Sequence, residues 1–317
     1  MTIAKVALDV PLPQLFDYRC PENQEAPQVG HRVIVPFGAR RATGVVVALS
    51  ETADIAHERL KDIERVLAEV PPLPPAWMQL ARFCSDYYQR PLGEVILNAL
   101  PPRLRQARPL PARSKVLRAP SGEIDDAPIS TSGHPLNEEQ HAAYEAVRAS
   151  FGSFAPFLLF GITGAGKTEV YLHLVAEALL EGRQALVLVP EIALTPSLEA
   201  AFGTRFPGAR IAVQHSGMAE AERARGWVQS QAGEADIVLG TRLAVFVPLP
   251  RLGLIVVDEE QDMSFKQRDG LRYSARDVAV YRAREAGAPV LLVSATPSLE
   301  SLQHARSEEH TSELQSH

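Results

Sequence analysis

Eight residues, Gly161-Ile-Thr-Gly164-Ala-Gly166-Lys167-Thr168, carry the clearest chemical signal in the chain. They follow the apolar run Phe157–Phe160 and precede the helical pattern Glu169–Leu180, the strand–loop–helix setting that a phosphate cradle needs. Glycines let backbone N–H groups approach phosphate oxygens, and the following helix adds the positive end of its dipole. Lys167 is placed to reach β- and γ-phosphates, and the Thr168 hydroxyl to ligate Mg²⁺. The second signal is Leu254-Ile-Val-Val-Asp258-Glu259-Glu260-Gln261. An apolar strand ending in acids puts carboxylates at the edge of the sheet where α/β folds hold ligands. Asp258 is the candidate Mg²⁺ ligand, and Glu259 the candidate that polarises an attacking water. Alone, that acidic strand end reads equally well as a solvated turn; the phosphate loop upstream makes the pair specific.

Two tripeptides follow strand patterns further on. Gly240-Thr241-Arg242 comes after Asp236–Leu239, and Ser294-Ala295-Thr296 after Val290–Val293. Each by itself is a common turn. In this order after the nucleotide motifs they resemble helicase motifs. Thr241 and Arg242 then offer contacts to a strand phosphate, while Ser294 and Thr296 couple nucleotide state to the DNA groove.

Residues of this kind need a rigid frame, and the rest of the sequence indicates one. At 317 residues the chain has room for about two domains of about 150 residues each. A 46% hydrophobic content supplies material for both cores. No apolar run reaches the roughly 18 residues of a membrane span, and the N-terminus lacks the basic-then-apolar pattern of a secretory signal. A cytoplasmic location with no membrane partner is the expectation. The two cysteines, Cys20 and Cys84, exclude a disulfide framework and any zinc site built from cysteine alone. The net charge of −6 argues against wholesale capture of nucleic acid, not against a local basic groove. Among the basic residues, Arg dominates; the lysines are Lys5, Lys61, Lys115, Lys167 and Lys266, and each compact point charge merits attention in a chain that defaults to Arg.

Seventeen of the 25 prolines precede residue 136, which separates two textures. The first part has short strand-like runs at Ile3–Val10, Arg32–Phe37, Gly44–Ser50 and Leu60–Leu67, then helices at Ala76–Tyr88 and Leu92–Leu100. That pattern predicts a small β-barrel closed by helices over residues 1–102. Residues 103–135, basic and then Pro/Ser-rich, read as a linker. From Leu136 to 305, helices alternate with apolar runs at Phe157–Phe160, Ala185–Val189, Arg210–Gln214, Asp236–Leu239, Leu254–Val257 and Val290–Val293. Such runs predict an α/β fold with a parallel sheet buried on both faces.

Longer stretches carry a family resemblance. Leu188-Val-Pro-Glu191-Ile-Ala-Leu-Thr195-Pro196, Asp258-Glu-Glu and Phe265-Lys266-Gln267 through Leu271-Arg272-Tyr273-Ser-Ala-Arg276-Asp277 resemble the primosomal protein N′ (PriA) family of replication-restart helicases. Phe16-Asp17-Tyr18, Val35-Pro36-Phe37-Gly38 and Tyr87-Tyr88 through Pro101 resemble the same family. The resemblance implies a RecA-like phosphate-loop lobe, helicase lobe 1, preceded by an OB-like barrel. It implies ATP and Mg²⁺ as cofactors, 3′-to-5′ unwinding of forked and single-stranded DNA, and recognition of a free nascent 3′ end. Primosome and helicase-loading proteins and single-stranded-DNA-binding protein are the implied partners. Gln140 is placed like a residue that reads adenine. Phe265, Lys266, Arg272 and Tyr273 match a loop that senses single strands by stacking. Phe16, Asp17, Tyr18, Gly38 and Lys61 match a pocket for the 3′ end, although Phe16-Asp17-Tyr18 reads equally as a strand edge with two core aromatics.

The sequence departs from the family in places. Gln261 stands where the family has His, which implies tuned coupling to nucleotide. The stretch 103–135 is too short for the winged-helix domain the family commonly has there. A second lobe, a Cys-rich zinc region with its ligands and a C-terminal domain have no counterpart, so the chain reads as an N-terminal fragment that is nearly inactive on its own. Arg306–His317 reads as a sequencing adapter translated in frame, a tail expected to make no native contacts. The alternatives are a phosphate-loop ATPase that is no helicase, and a fork-binding module without unwinding activity.

Overall fold

The computed structural model describes residues 2–20, 26–106, 117–118 and 133–305. Contacts divide the chain into two compact units, and the segments Ala219–Val228 and Arg268–Tyr273 group with the first. The tail 306–317 and most of the linker lie outside the described residues.

The first unit is built on strands β1 (Ile3–Leu8), β2 (Phe16–Arg19), β3 (Arg32–Phe37), β4 (Arg40–Ser50), β5 (Lys61–Asp62) and β6 (Arg65–Val66), in the order β5-β2-β1-β4-β3-β6. The run expected as one strand over Leu60–Leu67 is two short ones. β5 pairs parallel with β2 at one edge of the sheet, and β6 pairs antiparallel with β3 at the other. The bonds Ile63 N to Arg19 O and Glu64 N to Ile34 O lie between these pairings. One six-residue segment therefore ties both edges together, which is why the sheet curls and leaves no long free edge. Its interior holds Ala4, Val6, Leu8, Tyr18, Val33, Val35, Val46 and Ile63.

Two helices, α1 (Pro75–Tyr87) and α2 (Leu92–Ala99), complete this unit. Pro75 starts α1 where the missing N–H is harmless. α1 buries Trp77, Leu80, Ala81 and Cys84 on one stripe, the 3.6-residue periodicity visible in the sequence. α2 lies directly on β1: a Cβ at Gly93 would sit 1.8 Å from Leu8 O.

The second unit carries β7 (Leu117–Arg118), β8 (Pro156–Phe160), β9 (Gln184–Leu188), β10 (Arg210–Gln214), β11 (Ile237–Gly240), β12 (Leu252–Asp258) and β13 (Val290–Ser294), ordered β7-β10-β11-β9-β12-β13-β8. β8 to β13 run parallel. β7 is an antiparallel edge strand on β10, within the stretch the sequence reads as linker. β9 and β13 are buried at every position, as the continuous apolar runs predict. The helices are α3 (Glu138–Arg148), α4 (Lys167–Leu180), α5 (Pro196–Arg205) and α7 (Ala275–Ala286), while α6 (Glu220–Gln231) falls mostly in the segment that groups with the first unit. α4 contributes Val170, Tyr171, Leu174, Val175 and Ala178 to the core with β9, β11 and β12. The caps follow local rules: Asn137 and Gln140 form a reciprocal capping box on α3, and Ser274 caps α7, which ends at left-handed Gly287.

No described helix is long and apolar enough to cross a membrane.

The contact at Gly93 yields a test. Any side chain there meets backbone, which cannot rotate away, so Gly93→Ala should lower the stability of the first unit by about 1–3 kcal/mol, the usual cost of overpacking. Chemical denaturation of the whole chain followed by tryptophan fluorescence checks this, since Trp77 belongs to that unit. An unchanged midpoint would contradict the close packing of α2 on β1.

Candidate functional site

Parallel strands all present their carboxyl ends on one side, so the segments after β8, β9, β11, β12 and β13 converge there. The phosphate loop occupies the turn from β8 to α4. Gly164 and Gly166 adopt φ of +83° and +73°, and Gly166 caps α4 in the left-handed region, where a side chain is strained. A Cβ on Gly166 would also meet Gln140 Nε2 at 2.5 Å. Lys167 is the first residue of α4, and its Nζ donates to Gly161 O at 2.6 Å and Ile162 O at 3.1 Å. The lysine thus spans the loop it follows.

Gln140 lies against the same loop. Its Nε2 donates to Ala165 O at 2.8 Å, and its Oε1 accepts from Asn137 N at 2.9 Å. The amide expected to face adenine is turned onto the loop backbone, so in this structure it braces the cradle.

Asp258 ends β12. Tyr171 Oη donates to its Oδ2 at 3.1 Å, and Glu259 N donates to its Oδ1 at 3.0 Å. Thr168 lies one turn earlier on α4, so Tyr171 links the helix that carries Thr168 to the acidic strand end. Burial holds the Asp258 carboxyl above the usual aspartate range, and the Tyr171 hydrogen bond and the Lys167 charge offset part of that rise. Burial also drives the Tyr171 phenol far up, so it remains a donor. The sequence reading missed Tyr171; its signal is the three-residue spacing from Thr168 on one helix face.

Glu259 has a φ of +50°, one of two non-glycine residues with positive φ among those described. Such a conformation costs on the order of 1–3 kcal/mol and persists where surroundings impose it. Gln261 Nε2 donates to Glu259 Oε2 at 2.7 Å, Ser294 Oγ donates to Gln261 Oε1 at 2.6 Å, and Thr296 N donates to Ser294 Oγ at 2.9 Å. Gln261, Ser294 and Thr296, expected to act together, form a continuous relay from the acid to the end of β13. A glutamine suits the middle position because its amide donates at one end and accepts at the other.

The expected DNA contacts of this unit are less uniform. Thr241 is buried, and its N–H donates to Gln214 O. Arg242 Nη1 donates to Ser264 O at 2.7 Å and Lys266 O at 3.3 Å, bracing the loop that follows. In that loop Phe265 is 1% exposed and Tyr273 3% exposed. This corrects the stacking expectation: these rings anchor the loop from inside, because two large apolar faces gain more from burial than from solvent. Lys266, Arg268 and Arg272 are its exposed cations.

In the first unit, Phe16, Asp17, Tyr18, Gly38 and Lys61 line one cavity of about 400 Å³, together with Pro36, Phe37, Asp54 and Arg59. Antiparallel register sets Lys5 opposite Asp17, and parallel register sets Lys61 beside Tyr18. The Asp17 carboxylate is buried and accepts from Lys5 Nζ at 3.3 Å and from Asp54 N. Phe16 packs edge-on against Phe37 at 5.2 Å. Tyr18 Oη donates to Pro36 O at 3.1 Å, with burial pushing its pKa up to about 12. Lys5 was singled out in the sequence as a rare lysine without a role; Asp54 and Arg59 gave no signal. Among the described residues, no group of three or more His, Cys, Asp or Glu could hold a metal ion by itself.

A family profile described as 3′DNA-binding domain (3′BD) matches residues 5–101, and one described as DEAD/DEAH box helicase matches residues 137–305. The chain is 34% identical over 373 residues to the replication restart protein PriA of Haemophilus influenzae, covering 96% of this chain and 50% of that protein. It is 45% identical over 182 residues to the replication restart protein PriA of Bacillus subtilis, covering 57% of this chain and 22% of that one. The chain spans about half the length of the Haemophilus relative. A solved structure titled "Structure of RecG bound to three-way DNA junction" aligns with a TM-score of 0.41 at 21% identity, over 54% of this chain and 22% of that one.

The corrected loop predicts a separation of effects. Lys266→Ala and Arg272→Ala should weaken single-stranded DNA binding and lower its salt dependence by about one counterion each, leaving melting temperature unchanged. Phe265→Leu should lower stability while leaving DNA affinity at matched salt within about twofold, since a buried ring makes no contact with bases. Filter binding over a salt series with parallel thermal melts decides; DNA affinity lost through Phe265→Leu at full stability would restore the stacking role.

Proposed function

Because the chain belongs to the DEAD/DEAH box helicase family, we propose that it supplies the nucleotide-binding lobe and the fork-binding domain with which a replication-restart helicase couples ATP hydrolysis to the unwinding of forked DNA. The observation that carries this reading is the convergence of Lys167, Thr168, Asp258 and Glu259 at one sheet edge, with a hydrogen-bonded relay leading away from Glu259.

In this reading the loop amides and Lys167 hold the β- and γ-phosphates, and Lys167 exchanges its carbonyl partners for phosphate oxygens. Thr168 and Asp258 are the residues that would hold Mg²⁺. Their fit rests on Asp258: a buried carboxylate with a raised pKa lacks positive charge, which a divalent cation supplies. Bound there, Mg²⁺ neutralises charge on the transferring phosphate. Glu259 orients the attacking water. A change at the γ-phosphate reaches Ser294 and Thr296 through Gln261.

The cavity in the first unit is proposed as the site for the free 3′ end of a nascent strand. Aromatic Phe16 and Tyr18 give it an apolar wall, and Arg59 and Lys61 give it cations for a backbone phosphate. Asp17 has two donors already, and a carboxylate offers about four acceptor positions, which leaves room for a 3′-hydroxyl. Asp17 and Asp54 share the single ammonium of Lys5, which leaves net negative charge to disfavour a 3′-phosphate there. The 3′-to-5′ direction, the start of primosome assembly, contact with loading proteins and single-stranded-DNA-binding protein, and action in the cytoplasm complete the proposal. Support for these comes from the similarity to replication restart proteins over 96% of this chain.

The test uses the whole chain with forked duplexes ending in 3′-hydroxyl or 3′-phosphate at matched salt. The hydroxyl fork should bind about tenfold more tightly, a difference of about 1.4 kcal/mol, and Asp17→Ala should erase the difference. Equal affinities for the two ends would mean that the barrel binds DNA without reading its terminus. In the same assay, the chain should bind Mg·ATP weakly and hydrolyse it only slowly. Tight fork binding with no Mg·ATP binding at any nucleotide concentration would favour a binding module over part of an enzyme.

A further inference from the structure

Three acids end β12, yet the third does not face the phosphate loop. Glu260 is 2% exposed and turns away from Asp258 and Glu259. Its Oε1 accepts from Ser298 N at 2.7 Å. Its Oε2 accepts from Arg276 Nη1 at 3.0 Å, Ser301 Oγ at 3.0 Å and Ser298 Oγ at 3.3 Å. Arg276 Nη1 also donates to Ser298 Oγ at 2.7 Å, and its Nε to Asp277 Oδ1 at 3.0 Å. The backbone of Glu260 is held as well, its N–H donating to Val293 O at 3.0 Å.

This anchoring bears on the residue before it. Left-handed Glu259 has no glycine-like freedom, and a strained residue keeps its conformation when its neighbours are fixed. On one side Asp258 ends a paired strand; on the other Glu260 is fixed through its backbone and through Ser298 N, Arg276 and Ser301, the one Ser298 hydroxyl proton lying between Glu260 Oε2 and Ser301 Oγ. With a backbone N–H on one oxygen and a cation on the other, this buried carboxylate is committed to its clamp. It also joins the acidic turn to residues 298–301, just after the relay that ends at Thr296.

We propose that Glu260, clamped by Arg276, Ser298 and Ser301, is a positioning residue that imposes the left-handed turn at Glu259 and so aims its carboxylate. The proposal rests on the reading of this edge as a nucleotide-hydrolysing site. Removing the clamp lets the turn relax, the Glu259 carboxylate moves off the water, and hydrolysis slows while nucleotide binding through Lys167 persists.

The experiment uses the full chain, with Glu260→Gln and, as a milder variant that keeps the charge, Arg276→Lys. Single-turnover hydrolysis of Mg·ATP should slow on the order of 10–100-fold in Glu260→Gln and less in Arg276→Lys, with Mg·ATP affinity within about twofold of wild type in both. In a Glu259→Gln background, Glu260→Gln should cost nothing further, because the group it aims is already gone. Hydrogen exchange at the amides of Glu260 and Ser298 should speed up about tenfold in Glu260→Gln, with β9 amides unchanged. Multiplying losses in the double variant, or unaltered exchange at those two amides, would overturn the clamp. A wild-type chain that fails to bind Mg·ATP overturns the nucleotide-site reading itself, and the catalytic part of the clamp with it; the binding measurement reveals that before any variant is compared.

Discussion

Three consecutive carboxylates at the end of one strand repel one another, so the second unit is organised around giving each a different partner. A left-handed residue at Glu259 does this by breaking the alternation of the strand. Asp258 goes to Tyr171 on α4, Glu259 to Gln261 and the end of β13, and Glu260 to Arg276 on α7. Each acid therefore ties the acidic turn to a different element. The phosphate loop, the relay and the segment after β13 are all located by which of the three it meets. Burial of the central strands β9, β12 and β13 makes this possible, because a rigid core holds the partners still.

The first unit solves a smaller version of the same problem. A buried Asp17 is tolerable because antiparallel register sets Lys5 directly across from it. The segment from Lys61 to Val66 then stitches both edges of the sheet and brings Lys61 beside Tyr18. Curling of the sheet and the composition of the cavity are linked, because the segment that ties the two edges also brings Lys61 to the aromatic wall.

Much of this was legible in the residues. The six parallel strands announced themselves as apolar runs because strands buried on both faces have no polar alternation. The phosphate loop and the acidic strand end were legible for a similar reason, since each motif needs special residue types at fixed spacing. Directions were hidden. Nothing in Asp258-Glu259-Glu260 says which acid turns inward, because left-handed Glu259 lacks the Gly or Asn that usually marks such a backbone. β2, β5 and β6 escaped a clear reading because strands of two to four residues with charged members carry little periodicity. Phe265 and Tyr273 read as stacking residues through the family resemblance, yet a loop's aromatics serve equally well as its anchors, and in this structure both are buried. Gln140 shows the same limit, since its position was legible and the face its amide turns to was not.

The central claim is that Lys167 and the acidic turn form one Mg²⁺-dependent nucleotide site. Isothermal titration of ATP into the whole chain, with and without Mg²⁺, tests it most directly. The account predicts a single site that needs Mg²⁺ and weakens at least about tenfold, about 1.4 kcal/mol, in Lys167→Ala with melting temperature preserved. Equal affinity in wild type and Lys167→Ala, or binding indifferent to Mg²⁺, would contradict it.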